Sequence, residues 1–265
     1  MRRNIIIFSI LNLLGYIATV VVNILATTLP INNMTTGDLS DRYPNLFVPA
    51  GLTFSIWGLI YLLLAIFVVY QLRIVMKKDT QREEIIEKIG HFFFISSLAN
   101  IGWIFAWHYL LVPISLLFML VLLGSLIVIY LRLGIGTSTA SKAERYLIHL
   151  PFSVYLGWIT VATIANVTTL LVDRNWGALG LGEQFWAVLV IVVAIVITMR
   201  ILLTRNDIFY ALVVDWALLG ILIKRLSVDD VPDSAVVAAA ITGLVLISIV
   251  IIIQLKRKRI YQTGI

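Results

Sequence analysis

The feature that most constrains this chain is a series of eight long apolar runs. A helix needs about 20 mostly apolar residues to cross a bilayer. The stretches that meet this requirement are roughly 4–26, 49–72, 89–110, 113–131, 146–171, 185–203, 208–223 and 235–254. Because lipid offers backbone groups no hydrogen-bond partners, each run is expected to be helical. The sequence therefore predicts an all-α polytopic membrane helix bundle with eight transmembrane helices.

Composition supports this class and excludes several others. Only 13% of the residues are charged, against roughly 25% in soluble domains. The chain has no cysteine, which excludes disulfides, thiolate catalysis and zinc–thiolate or iron–sulfur sites. The three histidines fall in three separate segments, so no metal site is predicted. No nucleophile–base pair is readable either, and an enzyme is not the favoured class.

The distribution of Lys and Arg predicts the orientation. With the N-terminus inside, sixteen of the 20 Lys and Arg residues lie in cytoplasmic segments, as the positive-inside rule requires. The four on the outer side are Arg42, Arg174, Lys224 and Arg225. We expect a multi-pass protein of the cell (inner, cytoplasmic) membrane with both termini cytoplasmic. Its basic residues face the cytoplasm and lipid, so no nucleic-acid partner is predicted.

Two outer features follow from this orientation. Residues 27–48 form the longest outer loop, and their turn-rich composition predicts a lid over a cavity. Lys224 and Arg225 end the seventh helix, and we expect them to pair with the aspartates that follow. Those aspartates are Asp229, Asp230 and Asp233.

Three of the apolar runs carry aromatic stripes at helical spacing. The stripes are Pro49, Thr53, Trp57 and Tyr61 in the second run, Asn100, Trp103 and Trp107 in the third, and Pro151, Tyr155, Trp158, Ala162 and Asn166 in the fifth. Such spacings place each set on one helix face. Tryptophan usually collects at membrane interfaces. One interpretation of the stripes is therefore that their aromatic residues serve helix packing or lie at the interface. Amides and phenols on the same stripes favour a flat apolar pocket with a few polar groups.

These motifs resemble the TspO/MBR family of translocator and tryptophan-rich sensory proteins. Segment 44–61, PNLFVPAGLTFSIWGLIY, has the family's spacing of Pro44, Pro49, Trp57 and Tyr61, with Val48 in place of one proline. The family's third-helix Asn-x-x-Trp pattern is matched by Asn100 and Trp103. Its fifth-helix pattern is matched by Tyr155, Trp158 and Asn166, with Val154 in place of a proline. The resemblance covers about residues 1–173.

The resemblance implies a TspO-like five-helix core over 1–173 and three additional transmembrane helices over 174–265. It implies a cavity that opens toward the first loop and holds a porphyrin or another flat hydrophobic ligand, and some family members bind sterols. No cofactor is fixed by the sequence beyond this porphyrin-like ligand. The stripes and the resemblance together predict nine ligand-binding residues: Pro49, Trp57, Tyr61, Asn100, Trp103, Trp107, Tyr155, Trp158 and Asn166.

Asp215 lies in the seventh run, outside the resemblance. A carboxylate at membrane depth is costly and is therefore a candidate proton or ion site. The alternative is a structural aspartate, protonated or paired with an amide.

The leading functional hypothesis is an integral membrane binding or sensory protein for a planar, tetrapyrrole-like ligand. Its aromatic cavity would open to the outer face. The alternative is a secondary transporter of a small hydrophobic or amphipathic solute, with Asp215 as its coupling site. The expected partners are the lipid bilayer, the hydrophobic small molecule, and a second copy or another membrane protein docking on helices 6–8.

Overall fold

A computed structural model describes residues 2–29, 31–228 and 233–263, and of residues 178, 228 and 257–263 it describes the backbone alone. Within those ranges the chain forms helices and no strand. The α-helices are α1 (Arg2–Thr28), α2 (Thr36–Asp41), α3 (Ile56–Lys77), α4 (Thr80–Ile89), α5 (Phe92–His108), α6 (Val112–Arg132), α7 (Lys142–Glu144), α8 (Leu150–Asp173), α9 (Gly182–Arg205), α10 (Ile208–Val228) and α11 (Ser234–Thr263). A π-turn at Arg145–His149 joins α7 to α8, so the two form one continuous helix.

The prediction of an all-α polytopic membrane bundle is confirmed. Over the described ranges, 7 helices are long and apolar enough to cross a bilayer. Helix α10 is not among them, because its 21 residues include Asp215, Lys224 and Arg225. It nevertheless runs the length of the bundle. Asp207, just before it, bonds Tyr130 near the end of α6, and Lys224, near its own end, bonds Asp41. The count of eight crossings stays a prediction.

The helices form two groups joined by α10. In the first group α1 packs on α3 and α5, α5 on α6, α6 on α8, and α8 on α3. In the second, α9, α10 and α11 pack on one another, and α10 packs on α8. The contact is close at Gly157 of α8, where an added Cβ would lie 3.1 Å from the Tyr210 carbonyl oxygen. Whether these groups are separate domains, divided at residue 173, stays a prediction.

The start of the second apolar run differs from the helix expected from residue 49. Pro49 is non-helical, and a 3₁₀ turn at Gly51–Ser55 precedes α3. Proline lacks an N–H and disfavours helix in the residue before it, and the Ala50 N–H is used elsewhere, donating to the Gly220 carbonyl (3.0 Å). We call the end of the bundle that carries residues 31–55 the upper end, and the opposite end, where α1 begins, the lower end.

Candidate functional site

The upper half of the first helix group is organised around Trp57 of α3. Its ring stacks on Tyr61 (centroids 5.6 Å apart) and on Trp103 of α5 (6.1 Å). It also meets Tyr155 and Trp158 of α8 edge-on, each at 6.2 Å. The stripes of three helices thus meet at one ring, and we call these five residues the Trp57 cluster.

The cluster extends toward the upper end of the bundle. Trp107 stacks on Trp103 at 6.1 Å and donates its indole N–H to the Thr36 carbonyl of α2 (3.3 Å). Phe54, in the turn before α3, meets Trp158 edge-on at 6.0 Å. Aromatic rings therefore connect the bundle interior to α2 and to the turn before α3.

Two cavities flank Trp57. The smaller has a volume of about 50 Å³. It is lined by six residues predicted from the sequence, Pro49, Trp57, Trp103, Trp107, Trp158 and Asn166, and by Thr36, Ser40, Phe54, Val161, Ala162, Ala165 and Thr169. Ala162 was on the predicted stripe. Val161, Ala165 and Thr169 follow Trp158 at spacings of three, seven and eleven, a helical signal that would have found them.

The larger cavity has a volume of about 550 Å³, inside the range of about 300–1,000 Å³ that small-molecule sites occupy. Its lining is more polar because α1 and the α2 segment contribute to it. The lining residues are Asn23, Ile24, Thr27, Thr35, Thr36, Gly37, Asp38, Asp41, Gly51, Phe54, Trp57, Gly58, Tyr61 and Ile104. Trp57 and Phe54 line both cavities, so these two side chains form part of the wall between them.

Asn100 and Tyr155 line neither cavity. The Asn100 amide donates to the Tyr155 hydroxyl (3.3 Å) and accepts from the Asn23 amide (2.7 Å). Asn166 lines the small cavity, but its oxygen accepts from Ser115 (3.2 Å). These hydrogen bonds join helices to one another, the usual role of amides between membrane helices.

Three buried polar atoms of the Trp57 cluster have no hydrogen-bond partner among the described residues. They are the indole nitrogens of Trp103 and Trp158 and the hydroxyl of Tyr61. More than 90% of buried polar groups are paired, and an unpaired one costs about 1–3 kcal/mol. Trp103 and Trp158 line the small cavity, whose lining includes no ionisable side chain, so their indole N–H groups suit an uncharged ligand surface that offers acceptor atoms.

Helix α2 contributes residues to the lining of both cavities. It begins with a capping box, in which the Asp38 carboxylate accepts from the backbone N–H and hydroxyl of Thr35 (3.0 and 2.7 Å). These hydrogen bonds hold the pKa of the Asp38 carboxyl below its usual range. The predicted lid segment therefore contains an ordered turn of helix that lines the cavities. Its role in ligand exchange stays a prediction.

Asp215 lies away from the cavities. It points toward α11, where the Ser248 hydroxyl donates to its Oδ2 (3.2 Å), and its Oδ1 has no partner among the described residues. The neighbouring Trp216 faces the other way and donates to the Thr53 carbonyl (2.9 Å). The proton or ion role of Asp215 stays a prediction.

The ion pairs of the upper end differ in part from those expected. Lys224 pairs with Asp41 in the first loop (2.6 Å), a partner distant in sequence. Asp233 accepts from Gln184 (2.9 Å) and also interacts electrostatically with Arg225, and Asp229 and Asp230 lie outside the described residues. In the described ranges, no three His, Asp or Glu residues lie close enough to hold a metal ion.

Comparison with known proteins supports the family suggested by the motifs. No curated protein and no solved structure matches the chain. A family of proteins described as TSPO-like matches residues 9–253. The match spans α9, α10 and most of α11 as well as the aromatic stripes. Because it covers far more than half of the 265 residues, this chain belongs to the TSPO-like protein family.

Proposed function

We propose that this protein binds a planar hydrophobic ligand, of the porphyrin-like class, on the Trp57 cluster, as a membrane binding or sensory protein. One observation carries the proposal: the Trp57 ring contacts four other rings from three helices, beside buried indole N–H groups that have no partner among the described residues. Indole faces stack on planar rings. The unpaired groups supply orientation once an acceptor is present.

The cavity volumes define how such a ligand would fit. The small cavity, about 50 Å³, is far below the roughly 300 Å³ at which ligand sites begin. The larger one, about 550 Å³, is the proposed seat, with the ligand against Trp57 and Tyr61. Rotation of Trp57 would join the two cavities and bring the ligand to the Trp103 and Trp158 nitrogens.

We further propose that the cavity mouth faces outward, in the cell membrane. The lower end carries most of the positive charge, which favours the cytoplasm. Described residues there include Arg2, Arg3, Arg73, Lys77, Lys78, Arg132 and Arg205. The upper end carries Arg42, Arg174, Lys224 and Arg225. A reporter fused after Ile265 should read out as cytoplasmic, and a periplasmic readout would contradict the orientation.

The binding test is a titration of the purified protein with protoporphyrin, followed by quenching of tryptophan fluorescence. Stacking on an aromatic side chain contributes about 1–3 kcal/mol per ring in nucleic-acid sites. A similar contribution here predicts that Trp57→Ala weakens binding roughly 5- to 150-fold. Trp103→Ala should weaken it as well.

The matched control is Trp176→Ala. Trp176 lies in the α8–α9 connection and contacts Trp186 (4.8 Å), and it lines neither cavity. Its replacement should leave the affinity unchanged. If Trp57→Ala and Trp103→Ala both bind protoporphyrin as tightly as wild type does, the cluster is not the binding site.

The alternative function, a transporter coupled through Asp215, rests on the Oδ1 of that residue, for which the described part of the chain offers no hydrogen-bond partner. No described contact links Asp215 to the cavities. The binding function therefore has the stronger support.

A further inference from the structure

We propose that α10 holds the cavity wall closed, so that helices α9–α11 set how fast the site opens. The ligand part of this inference rests on the proposed function. The opening itself can be measured without any ligand. The contacts concerned are those of Trp216, Gly220 and Lys224 with residues 41–53, which we call the α10 tether.

The first part of the α10 tether consists of two hydrogen bonds between α10 and the backbone of residues 50–53. The Ala50 N–H donates to the Gly220 carbonyl (3.0 Å), and the Trp216 indole donates to the Thr53 carbonyl (2.9 Å). Gly220 permits this approach because a Cβ there would run into the Thr53 side chain. The segment from Pro49 to Phe54, whose two end residues line the small cavity, is thus hydrogen-bonded to α10.

The second part is the ion pair between Lys224 and Asp41 (2.6 Å). Asp41 ends α2 and lines the larger cavity. Its side chain is 66% exposed, whereas that of Lys224 is 17% exposed. Attraction between such partly solvated charges is modest and weakens with salt. The pair can therefore break and re-form on its own while the bundle stays folded.

The opposite side of the loop is anchored to α5. Asn32 donates to the His108 carbonyl (2.9 Å), and Trp107 donates to the Thr36 carbonyl (3.3 Å). Because α2 lies between the two anchors, releasing either one lets it lift from the cavities. The α10 side contains the ion pair, so it is the side we expect to release first.

The chain has no cysteine, so one introduced thiol reports on opening. Ser40 is 8% exposed and lines the small cavity, so Ser40→Cys should react with a maleimide only when α2 lifts. Adding Lys224→Met should speed labelling about 2- to 5-fold, the range expected for a partly exposed ion pair. Gly220→Ala should speed it roughly 10-fold or more, because both wall hydrogen bonds are displaced.

Three controls separate the tether from general loosening. Gly124→Ala on α6, where an added Cβ meets nothing within 4 Å, should leave the rate unchanged. A thiol at Ser97, which is 3% exposed on α5, should react no faster in Lys224→Met. Exchanging the charges, with Asp41→Lys and Lys224→Asp together, should restore the wild-type rate, while Asp41→Lys alone should raise it.

Unchanged labelling of Ser40→Cys in both Lys224→Met and Gly220→Ala would overturn the inference. With Ser40 restored, Lys224→Met should release bound protoporphyrin faster by the same factor as it speeds labelling. Faster labelling in a protein that binds no protoporphyrin would support the tether and contradict the proposed ligand. Faster labelling with unchanged protoporphyrin release would show that α10 does not control the site.

Discussion

The Trp57 cluster and the surroundings of Asp207 each join three helices, yet they differ in whether their buried polar atoms are hydrogen-bonded. At the lower end, Asp207 Oδ2 accepts from the hydroxyls of Tyr130 (2.8 Å) and Ser153 (2.7 Å), and Oδ1 accepts from the Tyr210 N–H (3.2 Å). In the Trp57 cluster, three buried donors have no partner among the described residues. A paired buried group stabilises the fold, whereas unpaired groups beside a cavity fit a binding site.

The upper and lower ends of the bundle also differ in the contacts that hold their backbone segments. At the lower end, the Arg205 guanidinium lies over the Tyr130 ring (5.1 Å) and donates to the Ile135 carbonyl (3.0 Å). Gly136 has φ +81° and lies so close that a Cβ would run into the Arg205 backbone. The upper end is held partly by the partly exposed ion pair of Lys224 and Asp41. We therefore expect the lower end to be the rigid one.

The largest expected effect is the loss of stability when the hydrogen bonds to Asp207 are removed. Asp207→Ala should lower the free energy of unfolding by about 3–5 kcal/mol, because three donors lose their acceptor and each unpaired group costs about 1–3 kcal/mol. The measurement is thermal or denaturant unfolding of the purified protein. Asp173→Ala is the control: it removes only a partly exposed pair with Arg174 and should cost less than about 1 kcal/mol. If Asp207→Ala and Asp173→Ala lowered the free energy of unfolding equally, the hydrogen bonds of Asp207 would not be a special source of stability.

A matched pair of tyrosines sharpens the comparison. Tyr130→Phe removes a hydrogen bond to Asp207 and should cost about 1–2 kcal/mol. Tyr61→Phe removes a hydroxyl without a partner among the described residues, so its cost should lie within about 0.5 kcal/mol of zero. Both changes keep the ring, and unfolding measurements on the two variants isolate the hydroxyl. A loss for Tyr61→Phe as large as that for Tyr130→Phe would show that the Tyr61 hydroxyl is paired after all.

A second pair contrasts the two aspartates of the α10 region. Asp215 is held by one hydrogen bond, from Ser248, which an amide oxygen also accepts, so Asp215→Asn should change stability by less than about 1 kcal/mol. The same protein tests the transporter alternative through protoporphyrin affinity between about pH 5 and 8, where buried carboxyls titrate. Parallel curves for wild type and Asp215→Asn would end the coupling hypothesis. Loss of pH dependence in the variant alone would support it.

The smallest effect concerns α2 and pH. Its capping hydrogen bonds keep the pKa of Asp38 below the unfolded value, so their contribution is present above about pH 4. It is lost as pH falls through the folded-state pKa. Hydrogen exchange of the α2 amides, corrected for intrinsic rates, should show weaker protection at pH 3 than at pH 5. In Asp38→Asn this difference should disappear, and a difference that persists would exclude Asp38 as its source.

Much of this architecture was readable from periodicity and charge. Apolar length predicted the helices, because lipid leaves the backbone no alternative to internal hydrogen bonds. The spacing of Trp57, Trp103 and Trp158 predicted three aromatic faces, because helical geometry fixes which side chains share a face. The structure shows that these faces meet at one ring.

Tertiary structure alone decided which distant residues meet. In the sequence, Asp207 lies in a short connection between two apolar runs. In the structure, its Oδ2 accepts a hydrogen bond from the hydroxyl of Tyr130, 77 positions away. Lys224 has three aspartates within nine positions, yet it pairs with Asp41, 183 positions away. Local charge patterns predict neighbours along the chain, whereas these contacts follow from α10 packing on α8 and on the turn before α3. The cavity volumes could not be predicted from the sequence either. They depend on how side chains from several helices fill a shared space, which the pattern of a single helix does not specify.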